Sequence, residues 1–484
     1  MKEVSYYSTN NKSERVNFET ALLNGMASNY GLYMMARSDI PKFSMAEIGD
    51  MKDMSYAEIA FKVLSLFLGS EIPTSILKEL LDDAYNPEII PTKVENVVGK
   101  TSIIWLTNGP TASFKDYAAR FFGRSLNYFL GKKGLKRTVL VATSGDTGGA
   151  VADALYGLNN MNNIVFFPKG EVSEGQRRQM TTLLGNVYAF EVNGDFDICQ
   201  ALAKTLLGDK TFAAELSGDK DHFTSANSIS IGRLLPQAVY PFFAYSRVAK
   251  NGEPVIMSIP SGNFGDMMGT VLAREMGLPI SKILCGVNEN TEFSNFLKTG
   301  KYEVTSTKKS PSSAMNVSHP SNLARLIDFY GGHMHDERDP KTKKVVREGI
   351  IDKMPDLENM RKEIFSKSIS DSEHYETMKK VYEEFGIILD PHGAVGWKIL
   401  DDYLHGRNET ASVVYETADP GKFPKDVKKA IGITPPLPKG MQKQAKSHER
   451  IYFIESESEK TPKGIKLSDS QIKEAKEKIA GIFN

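Results

Sequence analysis

The chain has 484 residues, 40% of them apolar, which is enough for two or three cores. Sixty basic residues balance sixty acidic ones, so no overall field favours nucleic acid or a membrane surface, and an anionic ligand must be met by local groups. Two cysteines, Cys199 and Cys285, are too few for a disulfide framework or a cysteine metal cluster, and no apolar run reaches the roughly 18 residues of a membrane span. The start, Met1 to Ser5, carries no leader pattern, so a cytoplasmic protein with a small-molecule partner and no metal is expected.

From Asn17 to Tyr85 apolar residues recur at helical spacing, as in Ile59, Val63, Leu64, Phe67 and Leu68, and predict a mainly helical N-terminal domain over residues 1–95. After Pro87 the texture becomes short β-rich runs, glycine turns and helices, the alternation of parallel βαβ units. Ser102 to Leu106 leads into Gly109-Pro110-Thr111-Ala112-Ser113-Phe114-Lys115-Asp116. Thr138 to Ala142 leads into Thr143-Ser144-Gly145-Asp146-Thr147-Gly148-Gly149, and Val255 to Ile259 into Ser261-Gly262-Asn263-Phe264-Gly265. Further strands are expected at Ile164 to Phe167, Val187 to Val192, Ile283 to Val287 and Ala411 to Tyr415. Thr305 to Pro320 reads as an exposed connection, Gly331 to Arg347 as a polar excursion with solvated charges, and 354–385 as helix. These runs place an α/β region at 96–430 with strands enough for two sheets, the smaller set at about 126–240, and a charged tail at 431–484 ending in a helix from Asp469 to Phe483.

Each glycine-rich turn sits where a strand ends and a helix begins, so unpaired backbone N–H groups and the positive end of the helix dipole face one spot. Two anion sites result, although each turn taken alone also reads as a tight connection. Neither follows the Walker or the dinucleotide pattern, so nucleotide binding is not supported. A lysine such as Lys115 near a carbonyl compound can form a Schiff base and act as a base; an arbitrary lysine at a helix start is otherwise a surface group. One lysine with two anion cradles suits pyridoxal 5'-phosphate, which needs a phosphate site, and an amino-acid substrate, which brings a carboxylate.

The order of the lysine stretch, Ser144-Gly145-Asp146-Thr147-Gly148, Ser261-Gly262-Asn263-Phe264-Gly265, Asp390-Pro391-His392-Gly393-Ala394-Val395-Gly396 and Glu416-Thr417-Ala418 resembles the threonine synthase family of the longer type. The likeness spans nearly the whole chain, from Tyr7-Ser8-Thr9 and Gly31-Leu32-Tyr33 onward. It implies a fold-type II pyridoxal phosphate enzyme, tryptophan synthase β-like, with two parallel-sheet α/β domains and the helical N-terminal domain. The reaction it implies is conversion of O-phospho-L-homoserine and water to L-threonine and phosphate. Lys115 is then the Schiff-base lysine and proton shuttle, Gly262, Asn263, Phe264 and Gly265 the cofactor-phosphate loop, and Thr417 the hydroxyl facing the pyridine nitrogen. Asn227 matches a segment near the cofactor, and Ser144, Gly145, Asp146 and Thr147 match the loop that takes the substrate carboxylate.

Several readings stay open. Thr417 could simply end a strand, Asn227 could be a turn residue, and His392 could be a ligand, a base or a structural group. Arg177 and Arg178 are the candidates for the leaving phosphate, with a solvated helix face as the alternative. The chain departs from the family there and at Ser28-Asn29-Tyr30-Gly31, where a second glycine is expected in place of Tyr30. The same scaffold could act as a phospho-lyase giving a keto acid, as a dehydratase or cysteine-forming relative, or as a metabolite-binding protein without turnover. A monomer or weak homodimer is expected.

Overall fold

Contacts divide the chain into two units, neither continuous in sequence: Met1–Asn108 with Ser228–Pro436, and Gly109–Asn227 with Leu437–Asn484. The structure, a computed structural model, describes residues 4–143, 145–250, 252–340, 345–407, 409–461 and 464–483.

In the first unit a six-stranded sheet runs in the order Ile364–Ser368, Ile280–Val287, Val255–Pro260, Ser412–Glu416, Thr101–Trp105, Lys93–Val98. Every pair is parallel except the last, which is antiparallel. Val255–Pro260 is buried at every position, as a central strand covered on both faces must be. The helix Pro391–Leu404 packs Val395, Trp397, Ile399 and Leu400 against Ile103, Ile256, Leu284 and Val414. At the N-terminus, Tyr6–Ser8 pairs antiparallel with both Asn11–Val16 and Tyr33–Met34. Helices Phe18–Asn24, Met45–Gly49, Tyr56–Leu68 and Thr74–Ala84 follow the predicted periodicity, the third opened by a Ser55/Glu58 capping box. Tyr30 adopts φ 65°, the left-handed region where the glycine that the resemblance implies would be at ease.

In the second unit five parallel strands run in the order Ile451–Ile454, Val187–Val192, Met161–Pro168, Arg137–Ala142, Phe223–Ser225. Helices Phe196–Gly208 and Asp469–Phe483 cover a core that includes Leu140, Ile164, Phe190, Leu202 and Ile479. Cys199 lies in that core and Cys285 in the first unit's sheet, and burial pushes both thiols up, Cys285 to about 12.

Three stretches depart from the sequence reading. The charged tail is part of a sheet: Ile451–Ile454 extends the second unit beside Val187–Val192 because its alternate apolar residues fit that edge. The stretch read as helix over 354–385 contains the strand Ile364–Ser368, whose β-branched start completes the first unit's sheet. Gly331 to Arg347 opens a β-hairpin, His333–Arg338 with Val345–Lys353, although Glu337 and Arg347 are exposed as expected.

Candidate active site

The second unit presents Lys115. It is the first residue of the helix Lys115–Lys133, half-buried, with its Nζ 4.8 Å from the Phe114 ring centre. The turn before it folds onto one carboxylate: Thr111 N–H donates to Asp116 Oδ2 at 2.9 Å and Thr111 Oγ1–H to Asp116 Oδ1 at 2.5 Å. A Cβ on Gly109 would stand 2.3 Å from Asp116 Oδ2, so only glycine lets the chain close here. Buried Gln179 adds a bond from Nε2 to Thr111 O at 3.1 Å. The lysine is thus set by its neighbours' hydrogen bonds rather than by a helix cap of its own.

The first glycine-rich turn lies in the same unit, ahead of the helix Asp146–Leu155. Thr143 Oγ1 accepts both the Gly145 and Gly148 N–H groups, each at 2.9 Å. Gln176 fills the space a Gly145 side chain would need, and its Nε2 donates to Asp146 Oδ1 at 3.0 Å. The Gly145 N–H is therefore not the free donor expected of it, whereas the Thr147 N–H has no protein acceptor among the described residues. Ser144 lies outside the described residues.

Arg177 donates to both oxygens of Glu449, at 2.9 and 3.0 Å, and Arg178 stands 3.4 Å from the same carboxylate while bonding Glu174 at 3.0 Å. Burial raises the Glu449 carboxyl, but bonds from Thr181 and Arg177 and both guanidinium charges outweigh it and hold it below the usual range. Both arginines expected to grip a leaving phosphate are thus engaged by one carboxylate of the C-terminal segment, Glu449. Asn227 closes the strand Phe223–Ser225, its N–H on Ser225 Oγ at 3.3 Å, as a turn residue would.

The first unit holds the second glycine-rich turn and Thr417. Phe264 has φ 62° and caps the helix Gly265–Glu275. Among the described residues, the N–H groups of Gly262, Asn263, Phe264 and Gly265 have no protein acceptor. The turn is braced from behind. A Gly262 Cβ would stand 2.7 Å from Ala314 O and a Gly265 Cβ 2.6 Å from Gln237 Nε2, while Asn322 donates to Asn263 O at 2.9 Å. Thr305 to Pro320, read as an exposed connection, buries Ser312 and Met315 for this purpose.

His392 fixes that brace. Its Nε2 accepts the Ala314 N–H at 3.1 Å, so the ring carries its proton on Nδ1 and donates it to Asp390 Oδ2. Asp390 also caps its helix through Gly393 N–H at 2.7 Å, and Glu416 Oε1 accepts the Asp390 N–H at 2.8 Å. Burial, then the Asp390 charge, push the Glu416 carboxyl well above the carboxylate range. A Gly393 Cβ would stand 1.5 Å from Glu416 Oε2, which accounts for the glycine after His392. His392 is a positioning residue. Thr417 follows the strand Ser412–Glu416, buried, with no hydrogen bond to its hydroxyl among the described residues.

Unspent N–H groups at the start of an 11-residue helix fit a phosphate ester, and a buried free hydroxyl fits a ring nitrogen. Both are features that pyridoxal 5'-phosphate needs, the lysine turn of the second unit offers the amine that it takes, and the profile described as pyridoxal-phosphate dependent enzyme matches residues 100–348. The class is a fold-type II pyridoxal phosphate enzyme. Profiles described as threonine synthase N terminus and threonine synthase, C-terminal match residues 5–85 and 393–465. The threonine synthase of Escherichia coli is 34% identical over 91% of this chain and 94% of its own length. That of Schizosaccharomyces pombe is 35% identical over 89% of this chain and 90% of its own. A crystal structure of PLP-bound threonine synthase from Brucella melitensis superposes with a TM-score of 0.86 at 30% identity, covering 99% of each chain. The chain belongs to the threonine synthase family.

The sequence reading gave no role to Asp116, Gln176, Gln179 or Glu416. Gln176 had a visible signal, since Ser173 and Gln176 form a capping box. Its bond to Asp146 spans 30 positions and left no local trace.

Proposed function

We propose that this chain converts O-phospho-L-homoserine and water to L-threonine and phosphate, the last step of threonine biosynthesis. When bound, pyridoxal 5'-phosphate supplies an electron sink for the carbanionic states of the amino-acid skeleton. Lys115 Nζ would hold the cofactor at its carbonyl carbon and would be the base and acid for protons at the substrate's α, β and γ carbons. The N–H groups of Gly262, Asn263, Phe264 and Gly265 bind the cofactor phosphate, and the Thr417 hydroxyl faces the ring nitrogen. Asp146 and Thr147, with Ser144 and Gly145, take the substrate carboxylate, and Asn227 lies beside the cofactor. Arg177 and Arg178 are the cations offered to the leaving phosphate, and Glu449 competes with it for both.

The observation that carries the reading is the lysine turn, in which Asp116 and Gln179 fix the loop that ends in Lys115. A small-molecule substrate suits a chain in which, among the described residues, no helix is long and apolar enough to cross a membrane. The reading includes action in the cytoplasm as a monomer or weak dimer, which sedimentation checks directly. The decisive assay measures phosphate and threonine together from O-phospho-L-homoserine. Lys115→Ala is expected to fold, to lose the lysine-linked cofactor absorbance, and to lose at least about 1,000-fold in turnover. Normal threonine formation by that variant sinks the assignment, and 2-oxobutanoate from the wild-type chain redirects it to a phospho-lyase.

A further inference from the structure

The hairpin His333–Arg338 with Val345–Lys353 lies in the first unit and has no part in the proposed reaction. Two residues apart on one strand, His333 and His335 project from the same face, their rings 5.2 Å apart and 19° from parallel. Opposite them the register slips: His333 pairs with Lys353 and Met334 with Ile351, leaving Asp352 as the extra residue of a bulge. A bulge re-aims its side chain, and here it turns Asp352 onto the histidines. His333 Nδ1 is 2.6 Å from Asp352 Oδ1, His335 Nδ1 is 3.8 Å from Asp352 Oδ2, and the three ligand atoms all lie within 4.8 Å of one another.

Asn10 Nδ2 donates to Asn29 O at 3.1 Å, so the amide oxygen Oδ1 is the atom that faces His333 Nε2 at 3.3 Å. That oxygen accepts from Nε2–H, which leaves Nδ1 turned toward Asp352. At 2.6 Å, His333 Nδ1 and Asp352 Oδ1 are within hydrogen-bond distance, and both are atoms that a metal ion takes as ligands. His335 Nδ1 is shielded from solvent and has no hydrogen-bond partner. A cavity of about 440 Å³ opens beside the cluster and is lined by Asp336 and Asp339 as well as Asp352, against one guanidinium, Arg338.

We propose that His333, His335 and Asp352 form a binding site for a divalent transition-metal ion of the zinc type. Two imidazole nitrogens and one carboxylate are the ligands such an ion favours, and the imidazoles argue against magnesium or calcium. The cavity leaves room for water in a fourth position. Asn10 acts as the outer partner that fixes the His333 tautomer, so bound metal ties the hairpin to the turn between Tyr6–Ser8 and Asn11–Val16. Four-coordinate zinc places ligand atoms roughly 3.3–3.5 Å apart given bonds of about 2.0–2.2 Å, so Asp352 must swing out by about an ångström. Its side chain is half exposed and free to do so.

The test is a calorimetric titration of untagged, chelator-treated full chain, cofactor retained, with Zn²⁺. One ion per chain is expected at micromolar Kd or tighter, with at least about a tenfold loss in each of His335→Ala and Asp352→Ala. Circular dichroism of the metal-free variants confirms that they are folded. Co²⁺ added to the wild-type chain should give the strong visible bands of a four-coordinate site, and this readout stands even if a variant fails to fold. Absent Co²⁺ bands, or Zn²⁺ binding unchanged in both variants, overturns the proposal and leaves a proton as the bridging cation.

Discussion

The turns Thr143–Gly149 and Ser261–Gly265 look alike in sequence, each a glycine-rich link from a buried parallel strand to a helix, yet they spend their donors differently. In the first, Thr143 takes the Gly145 and Gly148 N–H groups and Gln176 fills the space in front of Gly145. In the second, the bracing groups Ala314 and Gln237 press from behind, and the N–H groups of Gly262 to Gly265 have no acceptor among the described residues. A glycine-rich strand-to-helix turn cradles an anion with whichever donors its neighbours leave unspent, four in the second turn and, among the described residues, Thr147 N–H in the first. Composition alone does not separate the two cases; the partners do.

The contrast is most directly broken at Gly262. Its Cβ would meet Ala314 O at 2.7 Å and Met315 Cα at 3.1 Å, both backbone atoms that cannot rotate away. Gly262→Ala is therefore expected to push the turn off its brace and weaken cofactor binding about 100-fold, or about 2.7 kcal/mol. Equilibrium titration of the cofactor-free chain measures it. Unchanged affinity would mean that the N–H groups of this turn do not hold the phosphate.

Thr143→Val probes the other turn. It keeps the β-branched shape but strips the acceptor from two N–H groups. About 2 kcal/mol of stability should be lost, with KM raised about tenfold and cofactor affinity unchanged. Urea unfolding and steady-state kinetics give the two numbers. A variant whose cofactor affinity falls with its stability would erase the distinction between the turns.

The sequence was most informative where one residue type had a single physical use. Strands such as Val255–Pro260 and Val187–Val192 lie where the apolar runs predicted them, and the Asp469–Phe483 helix follows its periodicity from end to end. Lys115 and both turns were legible because lysine and glycine carry their chemistry in short motifs. The brace was not. Ala314 faces Gly262, His392 reaches Ala314 across 78 positions, and Glu449 takes Arg177 across 272, pairings that only the folded chain creates. Charged stretches misled for a related reason. Periodicity cannot tell a solvated run from a hairpin whose histidines face a bulged aspartate, nor a polar tail from an edge strand.

A smaller effect sits along the helix that the Thr143 turn opens. Asp153 on Asp146–Leu155 is raised to about 6 by burial and then by the charge of Asp116, although Arg120, 3.8 Å away, pulls the other way. A raised acid binds its proton more tightly when folded, so its contribution to stability is complete below the unfolded value near 3.9 and is lost as pH rises through about 6. From pH 5 to pH 7.5 the loss is about 1.4 kcal/mol. Asp153→Asn removes that titration, so the difference between wild-type and variant unfolding free energies should change by this amount across the interval. Urea unfolding at both pH values checks it, and parallel pH profiles would place the Asp153 carboxyl in the ordinary range. Because this group lies beyond the turn's own hydrogen bonds, Thr143→Val should leave the Asp153 profile intact, and a shift in it would show that the turn and its helix titrate as one piece.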